Sequence, residues 1–218
     1  MPETPSRNYW NNWILSWEQL SYEGSQPERF IERLASRFRT VGERMDIACG
    51  ILDRNVEGRT VLDLGCGSGI LGLRLIESGA ARVSGIDFSE NAIEVGIERA
   101  RQHGVDDRLI FSCDDILDAS FPDVDIVTAL GVLDYLDGDQ IEDLFRKVYP
   151  KSFLFSFLER EWGVFQIMHS VYVKYRRVPG VHRYRKEEVL EAARRAGYDD
   201  PQFAVPSMIY SLPGDYVR

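Results

Sequence analysis

Cysteine and histidine are both scarce in this 218-residue sequence, which contains three of each. Cys49, Cys66 and Cys113 lie far apart, form no Cys-x-x-Cys pair and have no histidine nearby. This spacing indicates neither a disulfide framework nor a zinc site. We therefore expect reduced thiols, no bound metal and a cytoplasmic location.

Long apolar runs and an excess of positive charge are also lacking. The run from Val124 to Leu133 is interrupted by Asp125, and it falls far short of the roughly 20 apolar residues that a membrane helix needs. The first residues lack the basic and apolar regions of a signal peptide. With 26 Lys and Arg against 35 Asp and Glu, the formal net charge is −9, which argues against a nucleic acid partner.

From residue 60 onward, short apolar runs alternate with helical stretches. Strands are predicted near residues 60–64, 82–86, 108–112, 124–130 and 152–157, and helices near 69–78, 90–103, 139–147 and 186–196, with one or two further strands within 202–218. Because these strands are too apolar to be half-exposed, the alternation predicts an α/β fold with a doubly wound, mainly parallel sheet.

The region before the first strand has helical periodicity. Helices are predicted near residues 8–21, 27–38 and 42–53. We therefore divide the chain into an N-terminal helical cap or lid at 1–55 and a main domain at 56–218.

Three of the four tryptophans, Trp10, Trp13 and Trp17, form a stripe on the first predicted helix, accompanied by Tyr9 and Tyr22. Two interpretations are open. The stripe docks the helix on the sheet, as aromatic stripes at this spacing usually do, or it belongs to a lid in which Trp17 and Tyr22 border a substrate.

A glycine-rich loop follows the first strand, with glycines at Gly65, Gly67 and Gly69. Ligands of open α/β sheets bind at the carboxyl ends of the strands, where glycines let the backbone approach them closely. A dinucleotide fingerprint needs its third glycine at position 70, where Ile70 stands, and no Gly-Lys-Ser/Thr follows the loop. The loop therefore indicates a ligand site that is not built for a pyrophosphate.

Acidic residues recur at the next two strand ends. Asp87 ends the second strand, 22 residues after Gly65, where its two oxygens can accept from both hydroxyls of a ribose. The third strand ends in Asp114, Asp115 and Ile116, which offer a carboxylate for an exocyclic amine beside an apolar cover for a flat ring. These features predict a cofactor that contains a ribose and an adenine.

Residues 61–75, 86–89, 114–116 and 124–127 together resemble the class I S-adenosylmethionine-dependent methyltransferases, over roughly residues 40–200. The resemblance implies a seven-stranded Rossmann-like sheet with an N-terminal helical cap. It also implies methyl transfer by in-line displacement, with S-adenosylmethionine as cofactor and S-adenosylhomocysteine as product.

The resemblance also implies a role for each residue of the cofactor site. Asp63 would reach the methionine amino group, Gly65, Cys66 and Gly67 would lie against the methionine part, Asp87 would hold the ribose, and Phe88, Asp115, Ile116 and Leu130 would surround the adenine and its neighbourhood. In an alternative alignment, Asp114 rather than Asp115 is the acid that contacts adenine. Arg44, with Arg39 as the alternative, would bind the cofactor carboxylate.

After the fourth strand, Val132 to Tyr135 looks like the segment found in small-molecule methyltransferases. The Asn/Asp-Pro-Pro-Tyr/Phe pattern of enzymes that methylate planar amide or base nitrogens is lacking. Asp134 or Tyr135 stands where cofactor and substrate meet in many relatives. Alternatively, Tyr135 is a core residue and Asp134 a surface cap.

The segment 162–186 carries six basic residues and no acidic residue, so its charge of +6 contrasts with −15 for the remainder. Three interpretations are open: a pocket for an anionic apolar or aromatic substrate that Arg176 and Arg177 contact, a solvated basic face, or contact with an anionic membrane surface, which we do not expect. No catalytic base is assigned, since an ionised nucleophile needs none. The candidates are His169, His182, Asp134 and Tyr175.

A small-molecule methyltransferase is thus the leading functional hypothesis. The N-terminal cap, the segment after strand four and the basic insert also weakly resemble enzymes that methylate porphyrin or other natural-product carboxylates. The alternatives are a methyltransferase that acts on RNA or a protein side chain, a nucleotide-binding oxidoreductase, and a cofactor-binding regulator without activity.

Overall fold

The computed structural model describes residues 5–22, 40–160 and 174–212. The described helices are α1 (Pro5–Tyr22), α2 (Thr40–Leu52), α3 (Ile70–Glu77), α4 (Glu90–Gln102), α5 (Gly138–Val148) and α6 (Lys186–Arg195). The described strands are β1 (Thr60–Leu64), β2 (Arg82–Asp87), β3 (Leu109–Cys113), β4 (Ile126–Ala129), β5 (Ser152–Ser156), β6 (Gln202–Val205) and β7 (Met208–Ser211).

Within the described residues these strands form one seven-stranded sheet in the order β3-β2-β1-β4-β5-β7-β6. Strands β1 to β5 are parallel, and β7 runs antiparallel to both β5 and β6. The strand order reverses between β1 and β4. The carboxyl ends of these two strands therefore border the crevice in which open α/β sheets bind ligands.

Side chains alternate between two cores, one on each face of the sheet. On β1, Val61 packs in the same cluster as Leu75 of α3, whereas Leu62 and Leu64 pack in the cluster that contains Phe145 of α5. Because both faces are covered by helices, the inner strands β1, β4 and β5 are buried along almost their whole length. This packing fixes the position of the β1 carboxyl end and of the loop that follows it.

Helix α1 docks on the beginning of α4. Ser89 caps α4, because its Oγ accepts from Ala92 N at 3.3 Å, and the same Oγ lies 3.1 Å from Asn11 Oδ1 of α1. Asn91 Nδ2 donates to the Asn11 carbonyl at 2.9 Å. These bonds hold α1 across the carboxyl edge of the sheet.

The structure confirms the predicted fold class, including the mainly parallel seven-stranded sheet. The predicted strands and helices occur with boundaries shifted by one to a few residues, and the C-terminal stretch supplies β6 and β7. The helix predicted at 27–38 lies outside the described residues. The division at residue 55 stays a prediction. No helix in the described part of the chain is long and apolar enough to cross a membrane.

Candidate functional site

A cavity of about 460 Å³ lies at the carboxyl edge of the sheet, beside the switch point between β1 and β4. Its floor is formed by the glycine loop after β1 and by the ends of β2 and β4, and α1 covers it. Position at a topological switch point makes this cavity the expected ligand site of the fold.

The glycine loop leaves no room for side chains at two positions. Gly65 has a φ of +67°, and a Cβ there would collide with the Val132 side chain. Gly67 has a φ of +53°, and a Cβ there would collide with Glu18 Oε1. Both residues line the cavity, and their left-handed backbone favours glycine independently of the crowding.

Two buried carboxylates stand behind this loop. Asp87 accepts from Gly67 N at 2.9 Å and from Ser89 N at 2.8 Å, so it ties the loop to the end of β2. Burial nevertheless raises its pKa, because the lost hydration outweighs these bonds. Asp63 accepts from Thr128 Oγ1 at 2.8 Å. Burial, with a contribution from the charge of Asp87, raises the pKa of Asp63 to about 7.

At the end of β3, the cavity wall includes Asp115 and Ile116 together with Phe88 from the β2 end. Asp114 is not among the lining residues. Its Oδ1 accepts from Asp115 N at 2.9 Å, so Asp114 stabilises the turn that presents Asp115. This placement favours Asp115 over Asp114 as the acid that faces a ligand.

One face of α1 forms the cover of the cavity through Trp10, Ile14, Trp17 and Glu18, which are spaced like neighbours on a helix. The ring centroid of Trp10 lies 5.5 Å from that of Trp17 and 5.4 Å from that of Tyr135. Trp10 Nε1 is buried and has no hydrogen-bond partner among the described residues. The cover is thus largely aromatic and holds one unused donor.

The cavity wall also contains a buried ion pair. Arg44 Nη1 lies 3.5 Å from Asp134 Oδ2, and Arg44 Nη2 donates to the Phe157 carbonyl at 3.0 Å. Burial raises the pKa of Asp134, although Arg44 and the backbone N–H of Leu158 both act to lower it. Desolvation therefore outweighs the pairing. Arg44 Nε is buried without a hydrogen-bond partner among the described residues.

The described part of the basic insert reaches the cavity through Val178 and Val181 rather than through its charges. The guanidinium of Arg176 lies over Trp13 at 5.0 Å and over Trp17 at 5.8 Å from the ring centroids, behind the cavity wall. Arg177 is exposed and does not line the cavity.

Of the remaining candidate bases, Tyr175 and His182 do not line the cavity. Tyr175 is 42% exposed, and His182 is exposed, with its backbone N–H bonded to the Asp134 carbonyl. His169, Arg39 and the side chain of Tyr22 lie outside the described parts of the chain.

Most residues predicted for the cofactor line this one cavity; they are Arg44, Asp63, Gly65, Cys66, Gly67, Asp87, Phe88, Asp115, Ile116 and Leu130. Of the residues predicted for substrate, Trp17 and Tyr135 also line it. Sequence reasoning did not assign Glu18 or Trp10 to the site. Their only signal is the helical spacing with Ile14 and Trp17, which does not say what that face of the helix covers.

Comparison with known proteins gives one family match. Residues 61–150 match the family model described as a methyltransferase domain. The ribosomal protein L11 methyltransferase of Alteromonas mediterranea is 49% identical over 55 residues, which are 25% of this chain and 19% of that protein. The chain therefore matches only about a fifth of the length of this curated relative.

Solved structures resemble the chain over most of its length. Magnesium protoporphyrin IX methyltransferase from Synechocystis PCC 6803, crystallised with S-adenosylhomocysteine, has a TM-score of 0.72 and 19% identity, covering 94% of this chain and 96% of that one. The cyclase SpnF has a TM-score of 0.63 and 20% identity, covering 93% of this chain and 77% of that one. At this identity the likeness shows the fold alone, and proteins of different activity share it.

Proposed function

We propose, from the match of residues 61–150 to a methyltransferase domain, that the chain binds S-adenosylmethionine and transfers its methyl group to a small molecule. The observation that carries the proposal is the convergence of the glycine loop, Asp63, Asp87 and Ile116 on one cavity at the switch point. These residues come from the ends of three strands, β1, β2 and β3, so the fold rather than local sequence brings them together.

The donors and acceptors present suit this cofactor. Asp87 uses its oxygens for two backbone N–H groups and retains lone pairs that can accept from ribose hydroxyls. Asp63 offers a carboxylate to an ammonium group, and Gly65 has no side chain between the loop and the ligand. Asp115 and Phe88 provide an acceptor and an apolar surface for adenine.

When bound, S-adenosylmethionine supplies a methyl group on a sulfonium, which is already a good leaving group. The protein's part is then alignment and the exclusion of water. Helix α1 and the Val178–Val181 segment cover the cavity and can perform the second task. No metal ligand set enters this scheme, and the described residues contain no cluster of His, Cys, Asp or Glu that could hold a metal ion.

For the substrate we propose an aromatic compound that carries a carboxylate or a phosphate. Trp10 and Tyr135 offer ring faces and edges, and Trp10 Nε1 and Arg44 Nε are buried donors without partners among the described residues. Leaving such donors unsatisfied is costly, so an acceptor group on the ligand is favoured. Arg176 adds positive charge behind Trp17.

An ionised oxygen acceptor requires no general base, so no catalytic residue is assigned. If the acceptor were a phenol, Asp134 would be the candidate base that takes its proton, because it lines the cavity and burial raises its pKa.

The proposal is tested by incubating the protein with S-adenosylmethionine that carries a tritiated methyl group and a panel of aromatic carboxylic acids and aryl phosphates. The matched controls are the corresponding neutral amides and the aromatic amines. Transfer of label to the acids but not to the amides supports the proposed substrate class. Transfer to amines alone would contradict it while leaving methyl transfer intact.

A methyltransferase for a protein side chain is the second candidate, because the matched segment is nearly half identical to ribosomal protein L11 methyltransferases. The segment is short relative to those proteins, so it supports the candidate weakly. Label recovered in a precipitated protein fraction, with none in small molecules, would favour this second function.

A further inference from the structure

Glu18 of α1 lies on the glycine loop. Its Oε1 accepts from Ser68 N at 2.8 Å, and Ser68 Oγ donates to its Oε2. Oε1 also occupies the space that a Cβ on Gly67 would need. The side chain is buried and lines the cavity, so a carboxylate fills the open side of the loop in the ligand-free protein.

This position conflicts with a bound cofactor. The open face of Gly67 is where the proposed site would receive the methionine part, and Ser68 N is a donor of the same loop. Glu18 also stands near Asp87, whose charge raises the pKa of Glu18 in addition to the larger effect of burial. The Glu18 carboxylate is stabilised by its hydrogen bonds from Ser68 and by the charge of Arg99. Arg99 in turn donates to the Ser68 carbonyl at 2.6 Å. A ligand bound to the same loop would remove these contacts from Glu18.

Helix α1 connects this contact with the aromatic part of the cavity wall around Trp10 and Tyr135, which the proposed function assigns to the substrate. Trp10 and Trp17 lie on the same face as Glu18 and form the aromatic cover. A helix moves largely as a unit, so displacement of Glu18 from the loop also changes the position of this cover.

We propose that Glu18 is an autoinhibitory latch, which occupies the glycine loop in the ligand-free protein and must leave it when S-adenosylmethionine binds. The inference rests on the proposed cofactor. It predicts that the substrate cover is rearranged by cofactor binding, so that cofactor binds before substrate.

The expected effect follows from the population of the open state. If only a fraction of the protein is unlatched, the apparent dissociation constant is the intrinsic one divided by that fraction. With the open state populated at about one part in ten, removing the latch tightens cofactor binding about tenfold.

The test compares wild type with Glu18→Ala and Glu18→Gln, using Gln19→Ala as the control, since Gln19 is the exposed neighbour on the same helix. Amide hydrogen exchange of α1 in the ligand-free proteins reports the contact without any cofactor. Calorimetric titration with S-adenosylhomocysteine reports the affinity, and stopped-flow tryptophan fluorescence reports the association rate. Glu18→Gln keeps the size of the side chain and serves if Glu18→Ala does not fold.

We expect faster exchange in α1, about tenfold tighter binding and faster association in Glu18→Ala, a smaller change in Glu18→Gln, and wild-type behaviour in Gln19→Ala. Unchanged exchange in both Glu18 variants would overturn the latch. Unchanged or weaker cofactor binding would also overturn it, and weaker binding would make Glu18 a cofactor contact. A third outcome is that no protein binds the cofactor although amide exchange of α1 rises in the Glu18 variants. The proposed function is then wrong, and Glu18 holds α1 on the loop without acting as a latch for the cofactor.

Discussion

At the scale of single residues, the two acids Asp63 and Asp125 show opposite electrostatics within one sheet. Asp63 is buried in β1, and its pKa is raised to about 7 by the loss of hydration. Asp125 is exposed just before β4, and its pKa is lowered because Thr60 donates to Oδ2 through its N–H and its hydroxyl, each at 2.8 Å. Burial decides the first case and hydrogen bonding the second.

This contrast predicts opposite effects of pH on stability. Between about pH 4 and 7, Asp63 ionises in the unfolded chain but keeps its proton in the fold, so the free energy of unfolding decreases as the pH rises. Asparagine cannot ionise, so the Asp63→Asn variant does not lose stability in this way. Between about pH 4 and 7, the difference in the free energy of unfolding should therefore shift in favour of the variant by up to about 4 kcal/mol. Urea unfolding of the ligand-free proteins from pH 4.5 to 8 measures this difference in the free energy of unfolding.

Asp125→Asn is the matched control. The Asp125 carboxylate stabilises the fold above its unfolded pKa, and this contribution is lost as the pH falls through the lowered folded value. The variant should therefore be less stable than wild type at pH 7, with the difference shrinking in acid. A pH-independent difference between Asp63→Asn and wild type would show that Asp63 titrates normally.

At the scale of elements, Arg44 of α2 and Asp134 of the turn Leu133–Tyr135 join two parts of the chain that are 90 positions apart. The pair is a poor source of stability in itself, since desolvation outweighs the attraction at Asp134. Both residues line the cavity, so the pair fixes the position of two groups in its wall.

A double-mutant cycle measures this coupling. Arg44→Met leaves Asp134 buried without its cation and should cost about 3 to 5 kcal/mol at pH 8. The double variant Arg44→Met, Asp134→Asn should cost less than the sum of the single changes, with a coupling of about 1 to 3 kcal/mol. Lowering the pH should reduce the cost of Arg44→Met, because loss of the cation favours the protonated form of Asp134, whose pKa burial already raises. If the effects of the two single changes on the free energy of unfolding add up at pH 8 to the effect of the double change, Arg44 and Asp134 are not coupled.

At the scale of the whole molecule, the sequence was sufficient for the sheet and for the acids that the strand ends bring to one cavity. Parallel strands end at one edge, so Asp63, Asp87 and Asp115 could be brought together from their positions at strand ends alone. The sequence could not decide between Asp114 and Asp115. A shift of one residue determines which carboxylate faces the cavity and which one stabilises the turn.

The sequence offered the first helix as a lid, but it did not identify the residues that this lid contacts. Glu18 meets Ser68 across 50 positions, and Trp10 meets Tyr135 across 125. Such contacts depend on how α1 docks, and helical spacing reveals an apolar face without identifying its partner. The basic insert illustrates the same limit, since its valines rather than Arg177 line the cavity.

We propose that this cavity binds S-adenosylmethionine through Asp87, and calorimetric titration measures that binding. Wild type should bind S-adenosylhomocysteine in a 1:1 complex and show no heat with nicotinamide dinucleotides. Asp87→Ala should weaken the complex by about 2 to 4 kcal/mol, because charge-assisted bonds to the ribose are lost, while the exposed-site control Glu90→Gln should match wild type. Nicotinamide dinucleotide binding without S-adenosylhomocysteine binding, or equal affinity in Asp87→Ala, would contradict the account.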